Sequence, residues 1–366
     1  MKFLLPLGLT IALSLLGSVP ARAAEQHLLY VATPGIRNDL QYGGHGILVF
    51  DIDSGHKFVK RIPFGGVDET GVPRNVKGVC ASAVTGRLYV STTHTLSCLD
   101  LASEKVLWER PFEGGCDRMS ITHDGKEIYL PSLEKDFWNI VDGATGDIIR
   151  RLDVAGAGSH NTIVDATGQH AYLAGLHSPL LRVVDVGTRQ ITKEIGPFGS
   201  AIRPYTVNGK GTLCFVNVNG LLGFEVGDLS TGKKLSRVEV QGFAPGLVKR
   251  HGCPSHGIGL TPDERELWLS DGHNQRMHYF DATATPPVQL GSIPLRDDPG
   301  WITFSIDGRY AYPSSGEVVE VATHKILTTL EDEEGRHVAS EKLLEIDFKD
   351  GKSSRCGDQF GLGQVQ

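Results

Sequence analysis

The chain has 366 residues, with 45 Gly, 18 Pro and a formal charge of −7. It holds no run of Lys or Arg, which argues against a surface built for nucleic acid or an anionic membrane. Turn-forming residues at this frequency, with few helix-favouring stretches, suit an all-β architecture.

The N-terminus reads Lys2, then an apolar run from Phe3 to Leu16, then Gly17-Ser-Val-Pro-Ala-Arg-Ala23. A charged start, an apolar core and an Ala-x-Ala site predict a Sec-type signal peptide over residues 1–23, cleaved after Ala23. A membrane anchor is the alternative, but the run is short of the roughly 20 residues a span needs. No later segment is long and apolar enough to span. The mature domain, residues 24–366, is expected in the periplasm or secreted, as a monomer with charge −9 once Lys2 and Arg22 are removed.

Beyond the signal a pattern recurs about every 43 residues: an apolar strand, a turn often reading Asp-Gly, a strand holding an aromatic, and a third strand closing on Asp. The aromatics are Tyr89, Tyr129, Tyr172, Phe215, Trp268 and Tyr312, with gaps of 40, 43, 43, 53 and 44. Repeats of that length made only of strand-sized pieces predict propeller blades, because one four-stranded sheet cannot bury both its faces. With strands named A to D from axis to rim, blade 2 reads Gly78-Val-Cys-Ala-Ser, Arg87 to Thr92, Thr95 to Asp100, and Lys105 to Trp108. Strand A of blades 3 to 7 starts near Arg118, Asn161, Pro204, Gly257 and Trp301.

Blade 1 has strand B (Leu28–Ala32), strand C (Ile47–Asp51) and strand D (Phe58–Arg61), and nothing but the signal before them. Leu343 to Lys352 repeats the pattern of Trp301 to Arg309, an A strand entering its Asp-Gly turn. The C-terminus is therefore expected to supply strand A of blade 1. That closes a ring of seven blades and removes an open sheet edge. Tyr89-Val-Ser-Thr, Tyr129-Leu-Pro-Ser and Tyr30-Val-Ala-Thr resemble the Tyr-Val-Thr-Asn repeat of YVTN-type seven-bladed β-propellers, exported proteins of bacteria and archaea. The likeness runs over essentially the whole mature chain and implies a fold, not a chemistry. The paired Gly-His and Trp-Asp marks of WD40 propellers are absent, since no Trp-Asp dipeptide occurs.

Because strands in a blade alternate direction, the B–C loops and D-to-A connections share one end of the ring. Two columns at that end stand out. Twelve positions before each strand-B aromatic lie Lys77, Asp117, His160, Arg203, His256 and Gly300, with Gly78 competing for the blade 2 place. Five positions after it lie His94, Glu134, His177, Gly220, His273 and Glu317. Two long insertions fall at the same end, Pro34 to Gly44 and Gly242 to Cys253, and lengthened loops often carry binding. His56, His123, His170 and His324 fall at the opposite end.

Imidazoles beside carboxylates suit a transition metal, zinc or copper, with His160, His177, His256 and His273 as ligand candidates. The same end also suits metal-free chemistry: His160 and His256 to move protons, Arg203 and Lys77 to hold an anion, and Asp117 as a further catalytic candidate. His94 and Glu134 are further candidates there. No HExxH, GxSxG, phosphate loop or CxxCH is present. Two functions fit these residues. One is a binding protein for a small molecule, metal or protein partner; the other is a lyase or hydrolase acting on an anionic or lactone-like substrate. Of the six cysteines, Cys80, Cys98 and Cys214 fall in strands and read as buried thiols, while Cys116, Cys253 and Cys356 are disulfide candidates.

Overall fold

The computed structural model describes residues 25–247 and 249–365, so the segment read as a signal lies outside the described residues. Every helix-or-strand element among them is a strand, and these form six four-stranded sheets and one five-stranded sheet. Successive sheets pack side by side into a ring. The fold is a seven-bladed β-propeller.

Each blade buries its middle strands and leaves strand D wet. In blade 2, Arg87–Thr92 and Thr95–Asp100 are nearly all buried, whereas Val106–Pro111 is almost wholly exposed. The strand-B aromatics wedge between blades: Tyr89, Leu96 and Cys98 share a core with Met119, Ile128 and Leu130 of blade 3. The Tyr89 hydroxyl finds its partner across the joint, donating to the Gly143 carbonyl at 2.9 Å, and Tyr205 of strand A likewise donates to the Tyr172 carbonyl at 2.6 Å, whereas the buried Tyr129 hydroxyl has no partner among the described residues. At Tyr89 and Tyr205 a buried phenol thus adds apolar area without an orphaned donor. The Asp closing strand C caps the following turn; Asp228 Oδ1 accepts from the Ser230 and Thr231 amides.

The ring closes as the sequence implies. Leu343–Lys349 pairs antiparallel with Glu25–Thr33 and serves as strand A of blade 1. The remainder of the C-terminus has no counterpart in the repeat. Lys352–Cys356 folds back as a fifth strand, and the tail beyond it enters the channel. Gln359 accepts from the Val79 amide at 3.1 Å and donates to the Met119 carbonyl at 2.8 Å. Its own carbonyl accepts from Trp301 Nε1 at 2.6 Å. Further along, Gly361 bridges to Gly259, where a Cβ on Gly361 would lie 2.7 Å from the Gly259 Cα. The tail thereby stitches blades 2, 3, 6 and 7 and lines a cavity of about 510 Å³ at the A–B end of the channel.

The cysteines depart from expectation in one respect. All six are free thiols. Cys116 and Cys253 are buried in different blades, and Cys356 lies on the fifth strand, so the three disulfide candidates have no partner to meet.

Candidate functional site

Strand A begins irregularly in four blades. The A–B register slips at Lys77, at His160, across Arg203–Pro204 and across His256–Gly257. A bulge leaves a residue unpaired and re-aims its side chain. Lys77, His160, Arg203 and His256 accordingly all line one cavity of about 370 Å³ at the B–C end of the channel. This settles blade 2 in favour of Lys77. Gly78 instead packs on its neighbour, where a Cβ would stand 3.0 Å from the Arg118 Cα.

Strand pairing also supplies the column's seventh member. His160 lies three residues before Ile163, the partner of Tyr172. In blade 1 Tyr30 pairs with Leu344, so the equivalent residue is Glu341. At blade 7 the column has Gly300, and the space is used by His251 from the long loop before blade 6. A Cβ at Gly300 would lie 2.1 Å from the His251 ring.

Two polar clusters result. In the first, His160 Nδ1 donates to Asp117 Oδ2 at 2.7 Å and Lys77 Nζ lies 3.4 Å from Asp117 Oδ1. Burial alone would raise the Asp117 carboxyl, but His160 and Lys77 outweigh it and hold it below the usual range. With Nδ1 committed to Asp117, Nε2 of His160 is left for the cavity.

In the second, His251 Nε2 meets Glu341 Oε1 at 2.5 Å, while Oε2 accepts from Arg118 at 2.9 Å and Lys342 at 2.7 Å. Burial would raise Glu341, yet Lys342, His251 and Arg118 hold it well below its usual value. Burial pushes the Lys342 amine down to about 7, against the pull of Glu341. The Arg118 guanidinium stacks 3.4 Å over Trp301, a desolvated cation on an indole face. His256 packs on His251 with ring centres 4.3 Å apart and donates Nδ1–H to the Gly300 carbonyl at 2.7 Å. Burial, helped by His251, keeps His256 neutral well below its usual pKa.

The second column does not converge on this cavity as a set. Glu134 lines it, but His94, His177 and His273 are exposed on the rim. His94 bonds Thr93 Oγ1 at 2.8 Å, His177 lies over Gly158, and His273 lies over Gly246 near the Leu247 carbonyl. The four-histidine set His160, His177, His256 and His273 is therefore not assembled. Among the described residues, the one group of three with metal-ligand geometry is His251, His256 and Glu341, with donor atoms within 4.8 Å of one another. At the opposite end, His56, His170 and His324 bond Tyr312, Asp165 and Glu266.

Sequence reasoning missed Glu341, Lys342 and Arg118, and it placed His251 at this end without a role. The insertions carried a usable signal: Arg37 comes from one, Arg250 and His251 from the other, and all three line the cavity.

No family model matches the chain, and no curated protein matches it. Among solved structures it is similar to the β-propeller domain of Cps50 (Swd1) from Myceliophteria thermophila, with 12% identity and a TM-score of 0.57. That match covers 76% of this chain and 88% of the other. Hydrazine synthase of Kuenenia stuttgartiensis matches with 14% identity and a TM-score of 0.46, over 69% of this chain and 94% of that one. The Cps50 likeness concerns the propeller fold alone, and the hydrazine synthase likeness is too distant to carry an argument.

Proposed function

We propose that the chain is an exported propeller of the YVTN type that holds a small organic anion in the cavity at the B–C end. The observation that carries this is charge. Arg37, Lys77, Arg118, Arg203, Arg250 and Lys342 line the cavity against two carboxylates, Glu134 and Glu341, in a protein of net charge −7. Several of these cations are held by internal acids, but Arg203 is not. Its Nε donates to Asn219 Oδ1 at 2.5 Å, and its outer nitrogens have no acidic partner among the described residues. A planar, always-charged fork facing a small concave space suits a carboxylate. The volume lies at the small end of ligand pockets, which favours a compact mono- or dicarboxylate. Export rests on the signal-like residues 1–23, and N-terminal sequencing of the mature protein should begin at Ala24.

The test is a thermal-shift and calorimetric screen of succinate, malate and phosphate, with glucose as the neutral control. A binding carboxylate at a hundred times its Kd should add about 2.7 kcal/mol of stability. Arg203→Ala should remove the shift. No shift with any anion, or a shift that survives Arg203→Ala with Lys77→Ala, refutes the reading.

One observation favours turnover. A His whose Nδ1 is fixed by a buried carboxylate, with Nε2 toward an anion site, is the arrangement of a general base. On that reading the protein is a lyase or hydrolase with His160 as base, Asp117 orienting it and Arg203 clamping the substrate. His160→Asn should then abolish turnover in a substrate screen while leaving anion binding intact.

A further inference from the structure

We infer that His251, His256 and Glu341 form a binding site for a divalent transition-metal ion such as zinc. This goes beyond the anion reading and does not depend on it. The donor set is two imidazole nitrogens and one carboxylate oxygen, which suits a borderline ion and leaves coordination positions open toward the cavity.

What distinguishes the trio from an ordinary ion-pair network is its surroundings. Ligating histidines need the second ring nitrogen held by an acceptor, so that the first presents its lone pair. His256 meets this condition, since Nδ1 donates to the Gly300 carbonyl at 2.7 Å. The acceptor for His251 is also in place. Asp298 is 5% exposed, neither of its carboxylate oxygens has a hydrogen bond, and Oδ1 lies 4.0 Å from His251 Nδ1, which is itself buried and unpartnered. A buried carboxylate and a buried ring nitrogen facing each other without a bond is costly for a resting network. A small rotation of His251 joins them, and it turns Nε2 from Glu341 toward a shared ion. Glu341 is oriented by Arg118 and Lys342 on Oε2, which leaves Oε1 for the metal. Arg118 and Lys342 bring positive charge to the site, and Asp298 supplies the second negative charge that offsets them. Ligand atoms about 2.0–2.2 Å from zinc lie roughly 3.3–3.6 Å apart in a tetrahedron. The 4.8 Å span therefore has to contract by roughly 1.2–1.5 Å, and His251 sits on an inserted loop that can supply that movement.

The test uses the mature protein without a His tag, dialysed against chelator and titrated with Zn²⁺ alone by calorimetry. Co²⁺ absorption reports the coordination. Wild type should take up one Zn²⁺ per chain; His251→Ala and His256→Ala should each lose that stoichiometric uptake, and His123→Ala should keep it. Asp298→Asn, which touches no ion, should weaken binding about 10–100-fold. His251 lies on a loop, so its variant should stay folded, with a melting curve as the check. Absence of stoichiometric Zn²⁺ and Co²⁺ binding to folded wild type, or binding unchanged in both histidine variants, overturns the proposal. Arg203→Ala should leave Zn²⁺ uptake intact, so failure of the ion site and failure of the anion site are separately visible.

Discussion

Removing the charge of Glu341 should strip a buried guanidinium of its counter-ion. Glu341 is 7% exposed and Arg118 3%, with Oε2 and Nη2 2.9 Å apart. Lys342 also loses its carboxylate in Glu341→Gln, but its amine is already pushed down to about 7 and can shed its proton. Arg118 has no such escape, because a guanidinium stays protonated in proteins. Breaking a buried pair from one side costs about 3–5 kcal/mol. With an unfolding entropy of about 2.1 cal/mol/K per residue over roughly 340 residues, that is a fall of about 4–7 °C in Tm. Arg118→Met alone should cost a similar amount, since it leaves Glu341 buried beside a weakened set of cations. The double variant should be much less destabilised than the two single effects added, because both charges leave together. Thermal and urea unfolding of the four proteins closes the cycle. Additive losses, with no coupling between the two positions, would refute the view that this pair is a mutually dependent buried unit.

Three further outcomes are expected. Gly300→Ala should displace His251 by placing a methyl 2.1 Å from its ring, speeding tryptic cleavage at Lys249 and Arg250 while blade stability changes little; unchanged proteolysis would contradict the packing of that loop. Phe360→Ala, at a side chain 3% exposed with its ring 5.5 Å from Trp301, should cost about 3–5 kcal/mol in chemical unfolding, and truncation after Arg336 should give insoluble protein; a soluble, folded truncation would contradict the closure. Burial, with Asp347 adding to it, pushes the Glu345 carboxyl up to about 8. A folded pKa above the unfolded one contributes stability that is full below about pH 4.5 and lost as pH rises through about 8. Wild type should therefore lose more Tm between pH 5 and 8.5 than Glu345→Gln, and parallel curves would contradict it.

The blade count, the closure by Leu343–Lys349 and the convergence of His160, Arg203 and His256 on one cavity, with Asp117 buried behind His160, were legible because they follow from repeat spacing and strand alternation. Radial position was not legible. Alternation puts His94, His177 and His273 at the same end as His160, but residues in a B–C loop stand farther out than residues at the start of strand A. Glu341 was hidden by an offset in the turn. Asp307 follows Thr303, the partner of Tyr312, by four residues, whereas Asp350 follows Leu344, the partner of Tyr30, by six. Aligning the two strands on Asp-Gly therefore lands two residues past Glu341. The tail that crosses the channel had no repeat to announce it, and Gln359 gains its meaning only from the Val79 and Met119 backbone groups it meets.

Crystals soaked in bromide and measured at its absorption edge would test the anion cavity most directly. The expected result is a strong anomalous peak between the Arg203 guanidinium and the Lys77 amine, lost in Arg203→Ala crystals. Peaks confined to lysines and arginines on the outer strands, with none inside the mouth, would contradict it.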